Sequence, residues 1–168
     1  GGGFGRNFLN SIFYTTSVVA GILFVSSLAA YAFSRMRFPG RNILFIIFMA
    51  AIMIPIPGSF VALYVLLNKL HLRDTPLGYI LCMINVGLAT SIFLLKTFFD
   101  KMPQELEDAG RIDGCSKLGI WWHVALPLAK PVLAVVVVFN ALNVWNEYIL
   151  ALIIFDSKHF MPLQVALQ

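Results

Sequence analysis

Four long apolar runs, at about 11–33, 42–67, 77–95 and 132–155, alternate with short polar segments along the chain. A bilayer hydrocarbon core about 30 Å thick needs roughly 20 apolar residues of helix, so each run is long enough for one span. The expected fold is therefore all-α: a polytopic membrane helical bundle with one transmembrane domain over 1–168, interrupted by a polar stretch at 96–131. The first run is too long for a signal peptide and lacks a small-residue cleavage site. The opening GGGFGRN reads as the end of a loop and the closing LQVALQ as a connection to a further span, so the chain is expected to be a fragment.

Two runs carry features that disturb a plain span. In the second, Ile54-Pro55-Ile56-Pro57-Gly58 removes backbone donors and frees carbonyls, predicting a break or strong kink. Freed groups survive in lipid only where protein or a water-filled cavity satisfies them. Pro55 to Gly58 should therefore face the interior, as a packed kink or along a pathway. In the fourth run, Asn140, Asn143 and Glu147 fall within about 60° of one helix face at ~100° per residue. A central carboxylate costs about 3 kcal/mol on insertion scales, which the surrounding apolar residues offset. Two readings stay open: these three residues line a solute pathway, or the asparagines bond neighbouring helices while Glu147 rises toward the outer interface.

Composition agrees with lipid as the solvent: 60% of residues are hydrophobic, 12% are charged and the mean hydropathy is +0.85. Positive residues are retained in the cytoplasm. Arg35, Arg37, Arg41, Lys96, Lys101, Arg111, Lys117 and Lys130 share one side, against Arg6, Lys69, Arg73 and Lys158 on the other. The 96–131 loop is thereby placed in the cytoplasm and the N-terminus outside. No basic patch with interleaved aromatics points to nucleic acid. Cys82 and Cys115 are separated by most of a membrane thickness, too far for a disulfide. His71, His123 and His159 have no metal-ligand companions at suitable spacing.

The 96–131 loop holds five acidic residues, Asp100, Glu105, Glu107, Asp108 and Asp113. Pro103 at a helix start and acids in the first turn suit the dipole of a short helix that Gly114 should end. Small Ala109 and Gly110 leave a strip that another surface can approach closely, and Glu105, Glu107 and Asp108 offer carboxylates to a basic partner. Ser116 should cap a second helix through Leu118, Trp121, Trp122 and Val124, terminated at Leu126-Pro127. An interfacial pair of amphipathic helices anchored by Trp121 and Trp122 is the plainer alternative, but the acidic residues argue against an anionic leaflet.

This loop resembles that of the permease subunits of binding-protein-dependent ABC importers. Their motif runs Glu-Ala-Ala, three residues, Gly, nine residues, Ile, one residue, Leu-Pro; here Asp108, Ala109, Gly110, Gly114, Val124, Leu126 and Pro127 keep that spacing. Asp108, Gly110 and Val124 depart from it, and Gly110 costs a helix about 1 kcal/mol relative to Ala. SLAAYAF at 27–33, RFPGR at 37–41, Ile112-Asp113-Gly114 and Trp145-Asn146-Glu147-Tyr148 extend the likeness to the carbohydrate-uptake branch, specifically the maltose-G-like permease half.

The resemblance implies the ABC importer permease fold of six spans, four of them present. It implies translocation of a sugar or related solute across the cytoplasmic (inner) membrane of a prokaryote, as a multi-pass subunit. ATP and Mg would bind to a separate cytoplasmic ATPase subunit that grips 103–127, with Glu105, Glu107, Asp108, Ala109, Gly110, Asp113, Gly114, Leu126 and Pro127 as the coupling residues. A second permease subunit and an extracytoplasmic solute-binding protein complete the implied partners beside the lipid bilayer. The sequence holds no phosphate-binding loop of its own, so the chain is expected to be a transporter subunit, not an enzyme, binding no cofactor. Three alternatives remain: an ion-gradient-driven secondary transporter using Glu147, a permease of the same class for a non-sugar solute, and a structural or sensory membrane scaffold whose loop binds another cytosolic protein and moves no solute.

Overall fold

The computed structural model describes residues 2–168, all-helical among those residues. Helix α1 (Gly2–Arg35) is continuous over 34 residues, about 51 Å at 1.5 Å per residue. The glycine-rich opening expected as a loop is thus helical from Gly2. The roughly 1 kcal/mol helix penalty of each glycine is opposed by tertiary anchors: Asn10 Nδ2 donates to the carbonyls of His159 and Met161 at 3.0 and 3.2 Å, and the Phe8 and Trp145 rings meet edge-to-face at 5.8 Å. Two hydroxyls inside α1 return to their own helix, Thr16 to Ile12 O at 2.8 Å and Ser26 to Ile22 O, so these two need no water in an apolar medium.

The second apolar run is divided as its prolines predict. Helix α2 (Arg41–Ile52) stops, a 3₁₀ turn covers Ile56–Ser59, and α3 (Phe60–Lys69) follows. These helices of 12 and 10 residues are about 18 and 15 Å long, each short of a bilayer core. Pro55 and Gly58 are exposed within this chain, against the interior placement expected; the side chains of Ile56 and Pro57 lie outside the described ones. Helix α4 (Pro76–Asp100) is continuous, with Thr75 Oγ1 accepting from Gly78 N at 3.1 Å as its cap.

The loop supplies α5 (Gln104–Ile112) and a second helical segment made of α6 (Lys117–Ile120), a π-helical turn over Trp121–Ala125 and α7 (Leu126–Leu128). Leu126-Pro127 does not terminate this segment as expected. The widened turn, in which Leu126 N donates to Trp121 O, five residues back, accommodates the proline. The direction changes instead by 79° between Leu128 and Lys130, where α8 (Lys130–Asn146) begins. The fourth apolar run is divided too: α8 ends at Asn146, and α9 (Ile149–Ile154) follows. The short α10 (Leu163–Ala166) lies near the C-terminal end. Among the described residues, only α1 and α4 are single helices long and apolar enough to cross a bilayer, or three spans if the bent pair through α8 counts as one. Proline and polar residues at the breaks account for the difference from four.

The chain forms two compact units. One, residues 1–21, 53–87 and 139–168, has a core of Tyr14, Tyr79 and Phe155, with ring centroids 4.9, 5.7 and 5.3 Å apart. Tyr14 Oη donates to Phe160 O at 2.8 Å. In the same unit the Asp74 carboxylate accepts from the backbone N–H groups of Asp156 and Ser157 at 3.0 and 2.9 Å and from the Ser157 hydroxyl. Burial alone would raise the Asp74 carboxyl, but the bonds from Ser157 and Asp156 and the charge of Arg73 outweigh it and hold the group below its ordinary 3.8. The other unit, residues 22–52 and 88–138, buries Ile22, Tyr31, Phe33, Ile92, Leu95, Phe99, Ile120, Trp121 and Val136. Both cysteines are free thiols.

Candidate functional site

Helix α5 is strongly amphipathic, and its two faces have different fates. At ~100° per residue, Glu105, Asp108, Ala109 and Ile112 form one stripe, and all four are exposed. Ile112 is 85% exposed, a large apolar side chain at the C-terminal end of a stripe that carries Glu105 and Asp108. On the opposite face Glu107 and Gly110 are buried. A Cβ built on Gly110 would stand 3.1 Å from Ile120 Cγ1 and 3.8 Å from Val124 Cγ2, so glycine lets α5 lie close against the second helical segment.

The turn between the two loop helices is built by glycine and serine. Gly114 adopts φ +85°, a left-handed conformation unfavourable to residues with a Cβ. It lets Gly114 N donate to Arg111 O and Cys115 N to Gly110 O, both at 3.0 Å, which closes the last carbonyls of α5. Ser116 then caps α6 as its position predicted, its Oγ accepting from Gly119 N at 3.1 Å. Asp113 and Gly114 are exposed at the tip; Leu126 is half-buried and Pro127 exposed beyond the π-helical turn.

Two residues of the expected coupling set turn inward: Gly110, which packs against Ile120 instead of leaving a strip for a partner, and Glu107. Glu107 was expected to offer a carboxylate to a basic partner, but it is 2% exposed and faces α1. Its Oε1 lies 3.4 Å from Arg35 Nε and 3.4 Å from the donating Tyr31 Oη, while Gln104 Nε2 donates to Oε2 at 3.2 Å. Arg35 also donates to Phe99 O at 3.0 Å, to Gln104 Oε1 at 3.1 Å and to Met102 O. Beside it, Ser34 Oγ donates to Asp100 Oδ1 at 2.6 Å, and Lys96 pairs with Asp100 at 2.8 Å. Sequence reasoning used Arg35 only as a topological charge and missed Tyr31 and Ile112. The available signal was spacing: Tyr31 and Arg35 stand four apart on one face of α1, just where the apolar run ends.

The polar residues of the fourth apolar run do not form one stripe. Asn140 is buried and Asn143 exposed on α8. Glu147 lies past the helix end, where its Oε1 accepts from Leu150 N at 2.9 Å and so caps α9. The alignment with Glu147 assumed a helix running through 147, and the break after Asn146 removes that assumption. Glu147 is thereby given a local hydrogen-bonding task that satisfies a helix-end donor. Among the described residues no group of three or more His, Cys, Asp or Glu could hold a metal ion.

Comparison with known proteins agrees with this architecture. Residues 21–167 match the family described as "Binding-protein-dependent transport system inner membrane component". The chain is 32% identical over 146 residues to the diacetylchitobiose uptake system permease protein NgcG of Streptomyces coelicolor, covering 87% of this chain and 48% of that protein. It is 32% identical over 160 residues to the arabinooligosaccharides transport system permease protein AraQ of Bacillus subtilis, covering 95% and 56%. Among solved structures, a bacterial ABC transporter involved in the import of the acidic polysaccharide alginate aligns with a TM-score of 0.88 at 31% identity, over 98% of this chain and 57% of that one. The chain spans about half the length of the curated relatives it matches. With its helices, its loop and its matched residues in agreement, the chain belongs to the family of inner-membrane permease components of binding-protein-dependent ABC importers.

Proposed function

We propose that this chain is the membrane-embedded part of a sugar importer, moving an oligosaccharide inward on energy from ATP hydrolysed by a separate subunit. The observation that carries this reading is the division of α5: Glu105, Asp108, Ala109 and Ile112 are presented outward, while Glu107 and Gly110 fasten the helix to its own unit. An outward stripe that combines carboxylates with an exposed apolar side chain at its end suits a cleft with basic edges and an apolar pocket. Closure of an ATPase dimer gripping that stripe would displace α5 and the helix ends bonded to it. The oligosaccharides named for NgcG and AraQ favour the same solute class. A second permease subunit and an extracytoplasmic solute-binding protein belong to this reading as partners. ATP and Mg would reside on the ATPase, and Glu105, Asp108, Ala109, Ile112, Asp113 and Gly114 would form the contact.

The full-length protein, reconstituted in proteoliposomes with a cognate second permease subunit, ATPase and binding protein, tests the proposal. Radiolabelled diacetylchitobiose and arabinotriose serve as probes. Accumulation that requires ATP, and that ionophores leave intact, is expected for at least one probe. Accumulation that survives ATP removal and collapses with the proton or sodium gradient would reject ATP drive.

A further inference from the structure

We propose that Arg35 and Glu107, with Tyr31, form a rigid joint that makes α5 and the adjoining end of α1 move as one body. This rests on the docking of an ATPase against α5 proposed above. The Arg35 guanidinium bonds three elements at once: its own helix carries it, the carbonyls of Phe99 and Met102 at the end of α4 accept from it, and Gln104 and Glu107 of α5 complete its shell. The pair is enclosed, with side-chain exposures of 11% for Arg35 and 3% for Glu107. Tilting α5 away from α1 would part the buried Glu107 carboxylate from Arg35 and Tyr31 and leave it Gln104 and the distant Arg111 of its own helix, and a buried charge that loses its close counter-ion is costly. By contrast, the ion pair on the outer side of α5, Asp108 to Arg111, spans 3.9 Å between side chains that are 55% and 57% exposed, and can be exchanged for an external partner. Helix α5 is thus held firmly on one face and loosely on the other, as a part that receives displacement and passes it on should be.

Arg35 and Glu107 are assigned here as positioning residues, and their readout is a distance. In full-length permease carrying Cys82→Ala and Cys115→Ala, nitroxides are placed at Leu106→Cys on the flank of α5 and Val25→Cys on α1. The protein is assembled with its ATPase in nanodiscs, and the distance distribution is recorded without nucleotide and with ATP and vanadate. Intact, the pair should give one narrow peak whose centre moves less than about 2 Å between the two conditions, within ordinary helix shifts. Glu107→Gln should keep the ATPase bound, yet at least double the peak width or shift it once nucleotide is added. Arg35→Lys, which retains charge but loses the planar fork, should do so in part. Tyr31→Phe supplies a milder variant should Glu107→Gln fail to insert. An unchanged peak in Glu107→Gln and Tyr31→Phe, or a large nucleotide-driven shift in the unsubstituted pair, would overturn the joint. Failure of the unsubstituted permease to bind the ATPase would instead overturn the docking reading, and this proposal with it.

Discussion

Gly114 allows the strongest test, because its surroundings separate backbone strain from bulk. A Cβ there would meet nothing within 4 Å, yet φ is +85°, so the penalty of a substitution is conformational. A residue with a Cβ pays about 1–2 kcal/mol in the left-handed region, Asn pays less, and a β-branched residue pays more. Opposing this are the two hydrogen bonds that the turn makes, from Gly114 N and Cys115 N, both 3.0 Å long, at roughly 1 kcal/mol net each. Gly114→Asn and Gly114→Ala should therefore leave the turn formed, while Gly114→Val should cancel its stabilisation and misplace Asp113 and the end of α5. The assay is the affinity of full-length permease in nanodiscs for its ATPase. Losses of less than about fivefold are expected for Asn and Ala and of at least about tenfold for Val. Asn is larger than Ala, so the order is diagnostic. If Ala were harmless while Asn and Val failed equally, clearance against the partner would be the cause and the backbone argument would be refuted.

Two further outcomes follow from the exposed surface and from the Asp74 strap. Ile112→Asp removes an apolar group that is 85% exposed, so thermal stability should change by no more than about 0.5 kcal/mol, while ATPase affinity should fall by about tenfold or more if this side chain anchors the contact; equal affinities would remove that role. Asp74→Asn keeps a residue tolerant of φ 57° while deleting the charge. The folded carboxyl lies below its ordinary 3.8, so the folded state binds that proton less readily than the unfolded chain. The stability it supplies is complete above that value and declines as pH falls through the lower, folded value. The melting-temperature gap between wild type and Asp74→Asn should accordingly be flat near neutrality and shrink below pH 3.8; a gap that persists into acid would contradict the assignment.

Sequence alone determined what depends on short-range chemistry. Apolar length made α1 and α4 long lipid-compatible helices, prolines broke the second run where α2 ends, and Gly114 and Ser116 fixed the turn of the polar loop. Each of these follows from the preferences of a few neighbouring residues, which remain the same wherever the segment sits. Tertiary structure decided the rest. GGFGRN became helix because Asn10 and Phe8 found partners more than a hundred residues away. Glu107 turned inward because Arg35 and Tyr31 reached it across 72 and 76 positions of sequence, whereas its neighbour Asp108 stayed outside. Two adjacent carboxylates on one short helix look alike in the sequence. Only the arrival of the Arg35 guanidinium on one side decides which of them holds the helix in place and which is left free for a partner.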